Sequence, residues 1–185
     1  LTGLGVLIAF RLKFWNIGAE GQLTFGGIAA TWVVFFWSPF LPPWMVLPVS
    51  IIIGMLAGAL WAGIPAFLKV SLKVDEVLTT LMLNYVAILF AEHLYYGPWR
   101  DPKGYGFPGT PSFPEFAWLP RLAGRAHLGL IFALVLALLI WFILNRTRWG
   151  FELKIIGNNP AAAKCQGINI AKNIMIALLL AGALS

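Results

Sequence analysis

Charge is what this chain has least of. Only 11% of its 185 residues are Asp, Glu, Lys or Arg, whereas 60% are hydrophobic, and the mean hydropathy is +0.84. Soluble domains typically carry about 25% charged residues, so this composition excludes one and points to the bilayer as solvent. Cysteine is scarcer still. The single Cys165 excludes an internal disulfide and a thiolate metal cluster. The acidic residues and histidines form no HExxH pattern and no tight cluster, so no metal site is expected. A GxxxxGK[ST] loop is missing as well, so nucleotide has to be bound elsewhere than on this chain. The formal net charge of +6 does not make a nucleic-acid binder, because the basic residues lie singly or in pairs beside apolar spans instead of in one stripe. No Met opens the chain and its last residues, IMIALLLAGALS, are an apolar run, which predicts a fragment of a longer protein.

What is present reads as an all-α, polytopic transmembrane helical bundle. A crossing helix needs about 20 apolar residues, and counting uncharged stretches gives five to six spans. Leu1 to Phe10 is the tail of one. Gly21 to Leu68 is uncharged and long enough for two, divided at SPFLPP, residues 38–43, where the prolines forbid a continuous helix. Val77 to Ala91, Leu128 to Leu144 and the segment from Ile174 onward supply the others. Residues 1–185 are read as part of one membrane domain, with a Gly-, Pro- and aromatic-rich outer loop over 97–126 and a polar cytoplasmic loop over 146–173.

Within that second loop, TRWGFELKIIGNNPAAAKCQGINIAKN spells a short, sharply bounded helix. Asn159 can cap it, Pro160 suits the first helical position, Ala161 to Lys164 are good helix formers, and Gly167 can supply a left-handed stop. At 1.5 Å per residue this is a peg of roughly 10 Å. Either it is an ordinary ordered loop or something outside the membrane pushes on it.

The basic residues orient the bundle. With 146–173 cytoplasmic, alternation places Arg11, Lys13, Lys69, Lys73, Arg146, Arg148, Lys154, Lys164 and Lys172 inside, and Arg100, Lys103, Arg121 and Arg125 outside. This is the sense of the positive-inside rule. Trp99, Tyr105, Phe107, Phe113, Phe116 and Trp118 in the outer loop suit an interfacial collar or a docking surface.

Two polar constellations remain. In NIGAEGQ, residues 16–22, glycines surround an ionisable Glu20 at the mouth of an apolar segment, which predicts a broken helix with free backbone groups. Asn16, Glu20 and Gln22 could line a polar passage, since an intramembrane carboxylate is functional by default. The alternative has Glu20 at the interface, complementing a helix dipole. Along Val74 to Leu94, Glu76, Thr80 and Asn84 recur every fourth residue and form one polar line. Interhelical hydrogen bonding accounts best for Thr80, and Asn84 is a candidate for the passage.

The segments NIGAEGQLTFGGIAA, DEVLTTLMLNY and above all TRWGFELKIIGNNPAAAKCQGIN resemble, in collinear order over nearly the whole chain, the permease subunits of bacterial ABC importers for simple sugars, nucleosides and branched-chain amino acids. The first of these segments points toward the sugar and nucleoside branch. The resemblance implies a multi-pass protein of the bacterial inner membrane that pairs with a second permease, like or unlike itself, with two ABC ATPase subunits and with an extracytoplasmic solute-binding protein. It implies no cofactor on this chain, ATP and Mg being held by the ATPase, and no enzymatic activity of its own. It also implies that Gly157, Asn158, Asn159, Pro160, Ala161, Ala162, Ala163 and Gly167 belong to a coupling helix that enters a groove on the ATPase, and it assigns no role to Cys165 or Gln166.

Two other classes compete. A secondary, ion-coupled transporter would share the broken helices and midplane polar groups but would need an ion site, and Glu20 is the one candidate for a buried carboxylate. A membrane-bound transferase would need an acidic or histidine cluster at one interface. Asp75 and Glu76 are sequence neighbours, which do not face the same way on a helix.

Overall fold

In a computed structural model, residues 1–104, 109–123 and 126–185 are described. The expectations for Tyr105, Phe107 and Arg125 lie outside them. Among the described residues eight α-helices form the body: α1 (Thr2–Arg11), α2 (Ala19–Trp32), α3 (Pro43–Leu72), α4 (Glu76–Tyr96), α5 (Gly129–Arg146), α6 (Arg148–Asn158), α7 (Pro160–Cys165) and α8 (Ile170–Leu184). Three of them, α3, α4 and α5, are long and apolar enough to cross a membrane, while α1 and α8 are shorter apolar helices. Among the described residues, the segment between α4 and α5 departs from an all-helical reading with a two-stranded antiparallel pair of β1 (Arg121–Ala123) and β2 (Ala126–His127).

The proline-rich divide falls where the sequence puts it. Helix α2 runs into a π-helical turn at Val33–Trp37, the chain reverses, and α3 starts with Pro43 in its first turn, where the missing N–H costs nothing. Two further prolines, Pro48 and Pro65, lie inside α3 without ending it. Neighbouring membrane helices tolerate such positions by satisfying the freed backbone groups.

Small residues set the helix packing. Gly58 of α3 and Gly182 of α8 face each other so closely that a methyl group added to either would meet the other's carbonyl oxygen. Without a hydrophobic driving force between helices in lipid, such close backbone approach is what lets van der Waals contact accumulate. Gly26 of α2 and Gly54 of α3 repeat the device, an added Cβ at Gly26 lying 3.0 Å from the Gly54 oxygen. The large apolar side chains Leu56, Leu60, Phe67, Leu134 and Leu138 point outward, as a lipid-facing surface requires.

These contacts fix relative depth. The Gln22 carbonyl oxygen lies 3.3 Å from where a Gly58 Cβ would be, so the start of α2 is level with the middle of α3. The Lys69–Glu76 ion pair marks the end of the α3–α4 hairpin. From Lys69 back to Gly58, which is level with Gln22, the helix rises about 17 Å at 1.5 Å per residue. The non-helical stretch Leu12–Gly18 therefore leads from the end of α1 up into the bundle.

Candidate functional site

The loop between α5 and α8 holds two helices, one more than the sequence reading found. Thr147 caps α6, its hydroxyl oxygen accepting from Gly150 N at 3.3 Å. Gly150, Leu153, Ile156 and Gly157 are buried along one face, a period of three to four that was present in the sequence but masked by the loop's overall polarity. Three contacts mount α6 on the spans. Gly157 packs on the Arg11 carbonyl at the end of α1, and Gly150 packs on the last carbonyls of α5. The Glu152 carboxylate accepts from Arg148 Nε at 3.1 Å and from Asn173 Nδ2 of α8 at 3.3 Å.

Helix α7 follows immediately. The Asn159 side chain caps it by accepting from Ala162 N at 3.1 Å, and Pro160 occupies its first turn. The end is a Schellman-type closure: Ile168 N donates to the Ala163 oxygen at 3.0 Å, with Gly167 in the left-handed region at φ +74. Its two faces differ. Ala163 is fully buried in a core cluster with Ile8, Leu12, Ala66, Leu144, Leu153 and Leu178, which ties α7 to the membrane helices. Asn158, Asn159, Pro160, Ala161, Lys164, Cys165 and Gly167 are exposed, and Ala162 is half-buried. Of the eight residues named from the sequence, Gly157 and Ala163 thus face the protein's own core, and the other six present or bound the outer face.

The second site lies where α2 begins. Asn16, Gln22 and Asn84 come together as a buried cluster. Asn16 and Gln22 exchange side-chain hydrogen bonds of 3.3 and 3.1 Å, and Asn16 Oδ1 also accepts from Gly18 N at 3.1 Å. Asn84 reaches across from α4, accepting from Gly21 N at 2.7 Å and donating to the Ile17 oxygen at 2.8 Å. Gly21 N is one of the first-turn N–H groups that no helix satisfies internally, so Asn84 caps α2 from a different helix. Thr80, expected as interhelical glue, turns its hydroxyl to its own helix and donates to the Glu76 oxygen at 2.7 Å, while its Cβ packs closely on Gly18. Glu20 stands apart from the cluster, exposed in the first turn of α2. No metal-holding group of His, Cys, Asp or Glu occurs among the described residues.

The permease component family of branched-chain amino acid transport systems matches residues 1–185. The chain belongs to this family. The guanosine ABC transporter permease protein NupP of Bacillus subtilis is 38% identical over 190 residues, covering 99% of this chain and 53% of that protein. The glucose ABC transporter permease protein TsgB13 of Haloferax volcanii is 36% identical over 195 residues, covering 99% and 50% respectively. The nucleoside ABC transporter permease protein NupB of Lactococcus lactis is 30% identical over 196 residues, covering 100% and 53%. The chain spans about half the length of these relatives. No solved structure matches it. Among the described residues, α7 and the Asn16–Gln22–Asn84 cluster are the two candidate sites, alongside the structural Glu152 and Lys69–Glu76 contacts.

Proposed function

We propose that this chain is part of the membrane-spanning permease domain of an ATP-driven ABC importer in the bacterial inner membrane, and that α7 is the helix through which a separate ATPase drives it. The observation that carries this is the two-faced build of α7. A helix of six residues has little intrinsic stability, yet its inner face is locked into a core shared with α1, α3, α5, α6 and α8, and its outer face is small and free. Displacing such a peg would move the spans together. ATP and Mg would be held by the partner, and this chain would perform no chemistry.

The solute is read as a nucleoside or a simple sugar, in keeping with what the named relatives carry, with a branched-chain amino acid as the family's other option. It would be delivered by an extracytoplasmic binding protein and would pass between this permease and a second, identical or different one. Asn16, Gln22 and Asn84 would shape the wall of the route near the start of α2, and Glu20 would present a carboxylate below the bilayer midplane. An ion-coupled transporter is disfavoured by α7, for which that class has no use.

Cys165 gives the experiment, because it is exposed on α7 and is the chain's one cysteine. In the full-length permease with any other cysteine replaced, a photo-crosslinker attached to Cys165 should capture the ATPase subunit. Capture of lipid or of no protein would remove the coupling assignment.

A further inference from the structure

The end of α1 carries a feature outside the two candidate sites. Leu7, Phe10 and Lys13 follow one another at spacings of three residues along one side of the helix and its terminus, and Trp15 stands beside them. All four are exposed, Trp15 by 60% and Phe10 by 49%. The Phe10 and Trp15 rings lie 5.6 Å apart, tilted by 59°, and with Lys13 they line a hollow of about 270 Å³. The turn that presents them is anchored from beneath by buried Phe14 and Asn16. Lys13 adopts a left-handed conformation, φ 54, and no carboxylate lies within ion-pair distance of it among the described residues.

We propose that this hollow is a binding site for one anionic phospholipid of the adjoining leaflet. Read along α1, the order is aliphatic, aromatic, cationic, with an indole at the rim, which is the polarity order of a phospholipid from acyl chain through glycerol to phosphate. Leu7 and Phe10 would lie along the first part of an acyl chain. The Lys13 ammonium would pair with the phosphate, the long stem snorkelling to headgroup level, and the Trp15 indole N–H would donate to an ester or phosphate oxygen.

Lys73 provides an internal control. It is exposed, sits at the end of α3, and has nearly the same left-handed backbone, φ 55, but the hollow does not include it. The proposal rests on the chain being a membrane permease; the test runs in detergent, so it depends neither on sidedness nor on ATPase coupling. Purified full-length permease would be mixed with phosphatidylglycerol or phosphatidylcholine and the retained lipid counted by native mass spectrometry. One phosphatidylglycerol should be held in preference. Lys13→Ala should weaken it about fivefold, the effect of one basic residue at a membrane surface, while Lys13→Arg and Lys73→Ala retain it. Trp15→Ala should also weaken it. Absence of headgroup preference, or equal loss in Lys73→Ala and Lys13→Ala, would overturn the site. So would unchanged lipid retention in Lys13→Ala accompanied by loss of the ATPase or the second permease from the purified assembly, which would make the hollow a protein contact.

Discussion

Asn84→Leu should destabilise the bundle by an amount the geometry sets. The amide makes two hydrogen bonds at 2.7 and 2.8 Å, to Gly21 N and the Ile17 oxygen, and both backbone groups belong to the broken start of α2. Leucine leaves each without its partner. An orphaned buried group costs about 1–3 kcal/mol, whereas interhelical hydrogen bonds in membrane proteins average about 0.6 kcal/mol because partners are found in the unfolded state too. Between these limits we expect a loss of about 2 kcal/mol. At 2–4 °C per kcal/mol for a chain of this size, the melting temperature in detergent should fall by about 4–8 °C. Thr80→Val removes a hydroxyl that bonds to its own helix and should change little. An Asn84→Leu protein that melts with the wild type, or a Thr80→Val protein that loses more, would refute the cross-helix cap.

Glu20 is the complementary case: its carboxylate makes no hydrogen bond among the described residues, so Glu20→Gln should cost less than about 1 kcal/mol, the usual scale of a first-turn dipole interaction. Uptake should nevertheless fall at unchanged abundance if the carboxylate faces the solute, and unchanged uptake would leave it a dipole partner only. Sidedness is tested by labelling whole cells with an impermeant thiol reagent: Thr110→Cys, in the outer loop, should react, and native Cys165 should react only after the membrane is opened. The reverse pattern would invert the bundle.

Much of the architecture was legible because lipid imposes a coarse code. Uncharged length located α3, α4 and α5, and the prolines at 42 and 43 located the reversal between α2 and α3. The bounds of α7 were equally plain, since cap, first-turn proline and left-handed glycine are local signals that tertiary packing did not override. Helix α6 was missed for the opposite reason: Arg148, Glu152, Lys154 and Asn158 make the segment polar on average, and its buried face becomes visible only at helical period. Asn16, Gln22 and Asn84 stand out in the sequence by type, but their relations do not. That Asn84 caps a different helix, that Asn16 pairs with Gln22, and that Gly157 and Ala163 face inward depend on distances between segments far apart in sequence, which no local pattern records.

The central claim is that a small exposed face of α7 receives force from an ATPase, and ATP-dependent uptake by an Ala161→Arg permease tests it most directly. Ala161 is exposed and arginine is a good helix former, so the substituted chain should insert, fold and melt as the wild type does. The added bulk and charge have no room in a groove fitted to a small residue. In vesicles containing the complete transporter and its loaded binding protein, uptake should be lost while permease abundance stays normal. Wild-type uptake with normal abundance would contradict the account.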